Sequence, residues 1–328
     1  MFDTIPKLSL SFSGHESFPL RYLWLTKGYD FIDQDDTFFS SDDAMVKLGT
    51  GKNMVRAIRH WGLACKVWKE VEQTRGRRVV PTELGKRLLA KNGWDPFLEE
   101  IGSIWLLHWL LVTNLDKASS WTYLFARPKG NRFTRDELVG ELESWVREQP
   151  NKKIKRSSLK RDVDVLVRSY TRAKAIKGSV PEDSLDSPFV QLDLIRPAIE
   201  KGQFEIVEGA HPSLPIGIFE FALAEYYQII RVMQKGHPVI FDVPWPDEKS
   251  GSISLDELLY APCSPGRTFR LSEDAIVERL HQLVSEYSDR YVFDETAGIR
   301  QLLLPKGMLG PIEILDRHYG ERRGQEAA

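Results

Sequence analysis

The sequence predicts a mainly α-helical chain with small β wings. The expected class is α+β: a winged helix-turn-helix N-terminal domain followed by a second α+β domain with its own winged-helix-like unit. Three observations carry this reading. Apolar residues recur at helical spacing behind capping residues along most of the chain. Pairs of short β-prone runs flank Arg- or Gly-containing turns directly after helices. A net charge of −2 also conceals an asymmetry: residues 178–328 hold 14 Lys+Arg against 25 Asp+Glu, which leaves 31 against 22 in residues 1–177. A basic first half points to a polyanionic partner.

The length of 328 residues suggests more than one domain. The expected divisions are 1–115 (winged helix), 116–178 (basic and helical) and 179–328 (acidic α+β). The apolar run IWLLHWLLV is too short to cross a bilayer and contains His108, which reads as a core histidine. The N-terminus lacks a basic segment followed by an apolar one, so no secretory signal is expected. Cys65 and Cys263 are the two cysteines, too few for a disulfide framework or a Cys-rich zinc site, and a reducing cytoplasm is the expected compartment.

Taken in order, residues 11–29 place His15, Glu16, Arg21 and Lys27 among Phe12, Phe18, Trp24 and Tyr29. Residues 42–62 read as two short helices around Gly49-Thr50-Gly51, with Asp42 and Asp43 able to cap the first. The second carries Met54, Val55, Ile58 and Trp61 on one side and leaves Lys52, Asn53, Arg56, Arg59 and His60 for the other. Val67, Trp68 and Val71, then Val79 and Val80, make a hairpin whose tip holds Arg75, Arg77 and Arg78. A helix follows from Thr82 or Pro81. Residues 52–91 hold 11 Lys+Arg and 3 Asp+Glu, and a helix-turn-helix with a basic hairpin is a DNA-binding pattern. The other reading is a solvated charged surface.

Thr134 and Glu137 stand at capping-box spacing before an amphipathic helix. Residues 147–177 are basic again, and a helix from about Ser157 turns Leu159, Val163, Leu166, Val167 and Tyr170 to one side. The region reads as a second helix-turn-helix, which leaves Lys155, Arg156, Lys160, Arg161, Arg168 and Arg172 for backbone phosphates, or as a helical linker that leaves them to solvent. Residues 178–190 are polar and rich in turn formers, which marks a boundary. Beyond it QFEIV reads as a strand, IFEFALAEYYQIIRVM as a buried helix and residues 255–259 as a short one. Ser272 then caps a four-turn helix, and two strands surround residues 295–298, whose acidic turn suits protein contact better than DNA. Gly49 to Asn53 lacks the spacing of a phosphate-binding loop, and Asp242 with 247–249 is too tightly spaced for a nuclease motif on two strands.

GHESFPLRYLWLTKGYD, DDAMVKLGTGKNMVRAIRHWGLA, PTELGKRLL, GWDPFLEE and IWLLHWLL resemble one bacterial family. That family is a domain of unknown function associated with DNA phosphorothioation and typified by SspB. The resemblance is dense over residues 12–111 and looser through SPGRTFRLSEDAIVERL and DETAGIRQLLL. It implies a DNA-nicking endonuclease that uses Mg²⁺ or Mn²⁺ and works with a cysteine desulfurase, an ATPase and an ATP pyrophosphatase on double-stranded DNA. Phosphodiester hydrolysis needs a base, cations for the phosphate and carboxylates for the ion. On that basis His15 is the candidate base, Arg21 or Lys27 the phosphate holders, and Glu16 and Asp30 the metal ligands, all within the candidate catalytic segment. His15 and Glu16 have a second reading, in which they only fix the N-terminal segment. A non-catalytic DNA-binding subunit that recruits modification enzymes, or a transcriptional regulator, remains the alternative for the whole chain.

Overall fold

A computed structural model describes residues 10–126, 130–149, 153–172, 187–234, 251–296 and 298–326. Helices dominate and the strands are short. The element order is α1 (Trp24–Ile32), α2 (Ala44–Leu48), α3 (Lys52–Ala64), β1 (Trp68–Glu70), β2 (Val79–Pro81), α4 (Glu83–Leu89), α5 (Ile101–Val112), α6 (Ser119–Ala126), β3 (Arg132–Thr134), α7 (Arg135–Glu148) and α8 (Arg156–Tyr170). There follow β4 (Ile195–Pro197), β5 (Gln203–Ile206), α9 (Ile216–Gln234), β6 (Gly251–Ser254), α10 (Leu255–Tyr260), α11 (Pro265–Phe269), α12 (Glu273–Glu286), β7 (Val292–Asp294), β8 (Gln301–Leu304) and α13 (Pro311–Glu326). The mixed α+β class is therefore as the sequence predicts.

Two compact units emerge. One comprises Ser9–Leu124 and Lys129–Val207; the other is built mainly from Glu208–Ala328. The basic helical region thus groups with the first 115 residues, and that unit runs on past 178 to Val207. Most of the polar stretch expected as a boundary, along with Asp242 and residues 246–249, lies outside the described residues.

In the first unit α5 is buried along nearly its whole length, because a helix apolar all round has no face to give to water. Trp61, Trp68, Trp105, Trp109 and Trp121 are among its largest fully buried side chains. His108 sits in this core with Nδ1 2.8 Å from the Tyr170 hydroxyl, the satisfied core histidine that the sequence predicts. The β1–β2 hairpin pairs antiparallel, Trp68 opposite Pro81. A three-stranded sheet in the order β3-β5-β4 completes the unit. Helix starts obey their caps: Thr82 accepts from the Gly85 N–H, and Thr134 with Glu137 forms a full capping box. Asp43 departs from expectation. It occupies the N-cap of α2 without a side-chain cap bond, while its own N–H donates to Ser41 Oγ. Of the apolar residues of α2, Ala44 and Leu48 are buried while Met45 and Val46 are exposed.

The second unit is organised on α9, which packs against α11, α12 and α13. Its sheet runs β6-β8-β7, so β7 and β8 are the two strands expected around residues 295–298 and β6 is an unforeseen third. Inside it the buried Glu220 accepts from the Tyr291 hydroxyl at 2.7 Å and pairs with Arg317. Burial raises the Glu220 pKa, and Tyr291 and Arg317 oppose that rise.

Close approach of α3 to the hairpin depends on Gly62. A Cβ there would lie 1.6 Å from Trp68 Cε2, and both residues are buried. Gly62→Ala is expected to lower stability by on the order of 1–3 kcal/mol or more, since the Trp68 ring is boxed in and overpacking cannot relax. A urea midpoint unchanged from wild type would show that the ring has room to move.

Candidate nucleic-acid interface and the N-terminal strap

Residues 11–23 form an irregular strap whose backbone is bent by left-handed residues at Ser13, Glu16, Ser17 and Leu23. None of the four is glycine, so each costs on the order of 1–3 kcal/mol and needs surrounding structure to hold it. That structure is visible. Ser13 N–H donates to Asp162 Oδ1, Ser13 Oγ to the Ser158 carbonyl at 3.0 Å and Ser11 N–H to Ser119 Oγ at 2.8 Å. Trp61 Nε1 donates to the Phe18 carbonyl at 3.0 Å, and Arg168 donates to the Ser17 carbonyl at 2.6 Å.

His15 lies at the centre, 1 % exposed. Its Nδ1 accepts from the Ser17 N–H at 3.2 Å, which fixes the proton on Nε2. That nitrogen donates to Asp162 Oδ1 at 2.8 Å, and Asp162 Oδ2 accepts from the Ser120 hydroxyl at 2.6 Å. Trp61 stacks on the His15 ring, and His60 and Trp121 meet it edge-on. Both ring nitrogens are thus engaged inside the protein. Of the two roles the sequence leaves open, this geometry fits the one that fixes the N-terminal segment, because a base needs a nitrogen free to receive a proton.

His60 requires a correction. The sequence predicts it on the outer face of α3, yet it is 8 % exposed and packs where a Cβ on Gly14 would stand 2.4 Å from its Nδ1. The strap covers this side of the helix, so His60 cannot reach a nucleic acid. Burial first, then the charges of His15, Lys117 and Arg59, lower its pKa to about 3. Arg59 is also half withdrawn. It pairs with Glu70 and donates to the Gly76 carbonyl at 2.9 Å. Glu70, which Lys117 also approaches at 3.1 Å, is pushed up by burial but ends below its usual value because these two cations outweigh that cost. Arg78 at the hairpin is bound to Asp36, Nε to Oδ2 at 2.8 Å.

Lys52, Asn53 and Arg56 at the start of α3 remain exposed, as do Arg75 and Arg77 on the hairpin. Lys155 and Arg161 are exposed on or beside α8, while Arg156 pairs with Glu143 and Lys160 lies 3.9 Å from Asp136. Lys27 is exposed on α1. Arg21 packs its guanidinium 5.4 Å from the Trp24 ring centroid. Glu16 faces Arg56 at 3.5 Å, whereas Asp30, with Asp33, lies near enough to Tyr29 to raise its pKa further after burial. Among the described residues no group of three or more His, Cys, Asp or Glu is placed to hold a metal, and no helix is long and apolar enough to cross a membrane. The acids before α2 have local duties: Asp36 anchors the hairpin, and Asp35 accepts from Thr37 N–H and Oγ, which lowers its pKa. Asp162, the partner that gives His15 its role, is not among the residues that the sequence singles out. The one signal for it is an acid on the apolar side of a helix.

The buried His60 has a pH consequence. Its folded pKa lies below the unfolded value near 6.5, so the unfolded chain binds more protons between about pH 3 and 6.5 and stability falls as pH drops through that window. His60→Gln is expected to flatten this acid slope in denaturant titrations run from about pH 7 to about pH 4. A slope identical to wild type would assign the acid sensitivity to other groups.

Known proteins share this architecture. The family model described as a protein of unknown function, DUF4007, matches residues 12–319. No curated protein matches the chain. Two solved structures do: one described as an SspB crystal structure and one as a magnesium ion-bound SspB crystal structure. For each the TM-score is 0.81 and the identity 32 %, covering 94 % of this chain and 88 % of the other. A shared fold at that identity, together with a family match spanning both units, makes this chain a member of the SspB-like DUF4007 family.

Proposed function

We propose that the chain is a DNA-binding protein of a phosphorothioate modification and antiphage defence system, and that it nicks duplex DNA in a reaction dependent on Mg²⁺ or Mn²⁺. The observation that carries DNA binding is the shared exposure of Lys52, Asn53 and Arg56 at the start of α3 and of Arg75 and Arg77 on the following hairpin. The first residues of the second helix of a helix-turn-helix are those that meet base edges, and a basic hairpin beside it suits backbone phosphates. Likeness to SspB structures supports the system assignment. Its expected partners are a cysteine desulfurase, an ATPase and an ATP pyrophosphatase in the cytoplasm.

The nicking reading rests on Glu16 and on the magnesium-bound relative. Mg²⁺ commonly takes one or two protein carboxylates, with water and substrate phosphate completing its shell. Glu16 on the strap, next to a DNA-facing Arg56, fits such a sparse ligand set; Asp30 is the second candidate. A bound divalent ion would supply Lewis acidity and charge neutralisation at the scissile phosphate. His15 and Asp162 would hold the strap so that Glu16 keeps its place, while Arg21 and Lys27 supply positive charge for the phosphate. A subunit that binds DNA and recruits partner enzymes is the second reading, since the exposed Lys52, Asn53 and Arg56 need no catalytic group to serve it.

Two measurements test this. Arg75→Ala with Arg77→Ala is expected to weaken duplex binding and reduce the log–log salt slope by about 0.9 for each phosphate no longer neutralised; unchanged affinity and slope would remove the hairpin from the interface. Supercoiled plasmid is expected to be nicked with Mg²⁺ or Mn²⁺ and not with chelator, and Glu16→Gln to suppress nicking while DNA binding persists. Full nicking by a Glu16→Gln, Asp30→Asn double variant would put the active site elsewhere. A wild-type protein that binds DNA but never nicks it would favour recruitment.

A further inference from the structure

The two basic stretches, 52–91 and 147–177, are separated by 55 residues in the chain, yet the strap touches both. Glu16 faces Arg56 of α3 at 3.5 Å, and the adjacent Ser17 gives its carbonyl to Arg168 near the end of α8. We propose that the strap joins the α3 surface to an arginine cluster of Arg21, Arg135 and Arg168, making one continuous track for the sugar–phosphate backbone of duplex DNA. This deepens the DNA-binding reading above and rests on it.

The composition of the cluster argues for an anionic occupant. Arg135 Nε stands 3.1 Å from Asp164 Oδ1 and its guanidinium lies 4.6 Å over the Phe204 ring. Arg21 is held against Trp24 and Phe18. Aromatic backing of this kind orients a guanidinium while its N–H edges can still meet phosphate oxygens. Asp164 links two of the arginines, accepting from Arg168 Nε through its carbonyl at 3.4 Å and facing Arg135 through its carboxylate. Burial lowers the Arg168 pKa, Asp164 raises it, and Arg135 with Arg21 lowers it again. Within residues 11–23 the one acid, Glu16, faces Arg56 and the one Lys or Arg is Arg21, so the strap adds no uncompensated acid between the two basic surfaces. A row of backbone phosphates can present oxygens to each guanidinium in turn, and each neutralised phosphate also releases condensed counterions. An isolated small anion would use one arginine and leave the rest in mutual repulsion.

The test measures binding of the full chain to a duplex of about 30 base pairs over a salt series, with a hydroxyl-radical footprint. Arg21→Ala with Arg135→Ala is expected to weaken binding several-fold, to cut the salt slope by up to about 2, and to shorten the footprint at one end. Asp164→Asn is expected to tighten binding several-fold at low salt, a gain that misfolding cannot produce. Asp256→Asn, the same charge change on exposed α10 of the acidic unit, is expected to leave binding as in wild type. The track is overturned if the double arginine variant and Asp164→Asn both bind as wild type with an unchanged footprint while wild type itself binds with a steep salt slope. Wild type without salt-dependent binding would instead sink the DNA reading, and the track with it.

Discussion

The Asp162 carboxylate is the constraint on which the first unit depends. It is 2 % exposed and accepts three bonds, from Ser13 N–H, His15 Nε2–H and the Ser120 hydroxyl. A buried carboxylate without such donors would cost several kcal/mol. With them it becomes a rivet between the strap, α6 and α8. Asp162 fixes the strap at Ser13 and His15, and Arg168 and Trp61 hold it further along at the Ser17 and Phe18 carbonyls. The burial of His15 is therefore not opposed to a functional role for the segment: it is how an irregular, left-handed stretch of backbone acquires one shape.

A basic surface next to many acids looks electrostatically wasteful in the sequence, and the structure resolves that. Asp36 holds Arg78 and accepts the Val79 N–H through its carbonyl at 2.7 Å. Glu70 holds Arg59 and Lys117. These acids sort the arginines into two groups, one that builds the hairpin and one that stays on the surface. Arg59 and Arg78 belong to the first, Arg75 and Arg77 to the second. Charge counts along the chain cannot make that distinction, because it depends on which cations have a carboxylate in reach after folding.

What is legible in the sequence is local. The capping box at Thr134, the caps at Thr82 and Ser272, the hairpin after α3 and the all-round apolar α5 each follow from a few neighbouring residues. The three-residue strands β3 and β4 are too short to show an alternating pattern, and β6 lies in a stretch rich in Pro and Gly that reads as connection. His60 escapes a helical wheel because the wheel assumes one buried face, whereas α3 is packed against α1 and β1 and also covered by the strap. Pairing of His15 with Asp162 is invisible for a simpler reason: 147 residues separate them.

That separation also sets an order of assembly. A growing chain displays His15 long before Asp162 has been made, a delay on the order of ten seconds at ordinary synthesis rates. Contacts that span so much chain also carry the heaviest loop-closure cost. The hairpin and the helices beside it close short loops and can condense during that interval, while the strap can reach only Trp61 and Ser119. Its left-handed residues leave it no stable conformation of its own. The strap therefore has only its contacts with Trp61 and Ser119 until α8 exists, and it takes its full shape when Asp162 closes on Ser13 and His15.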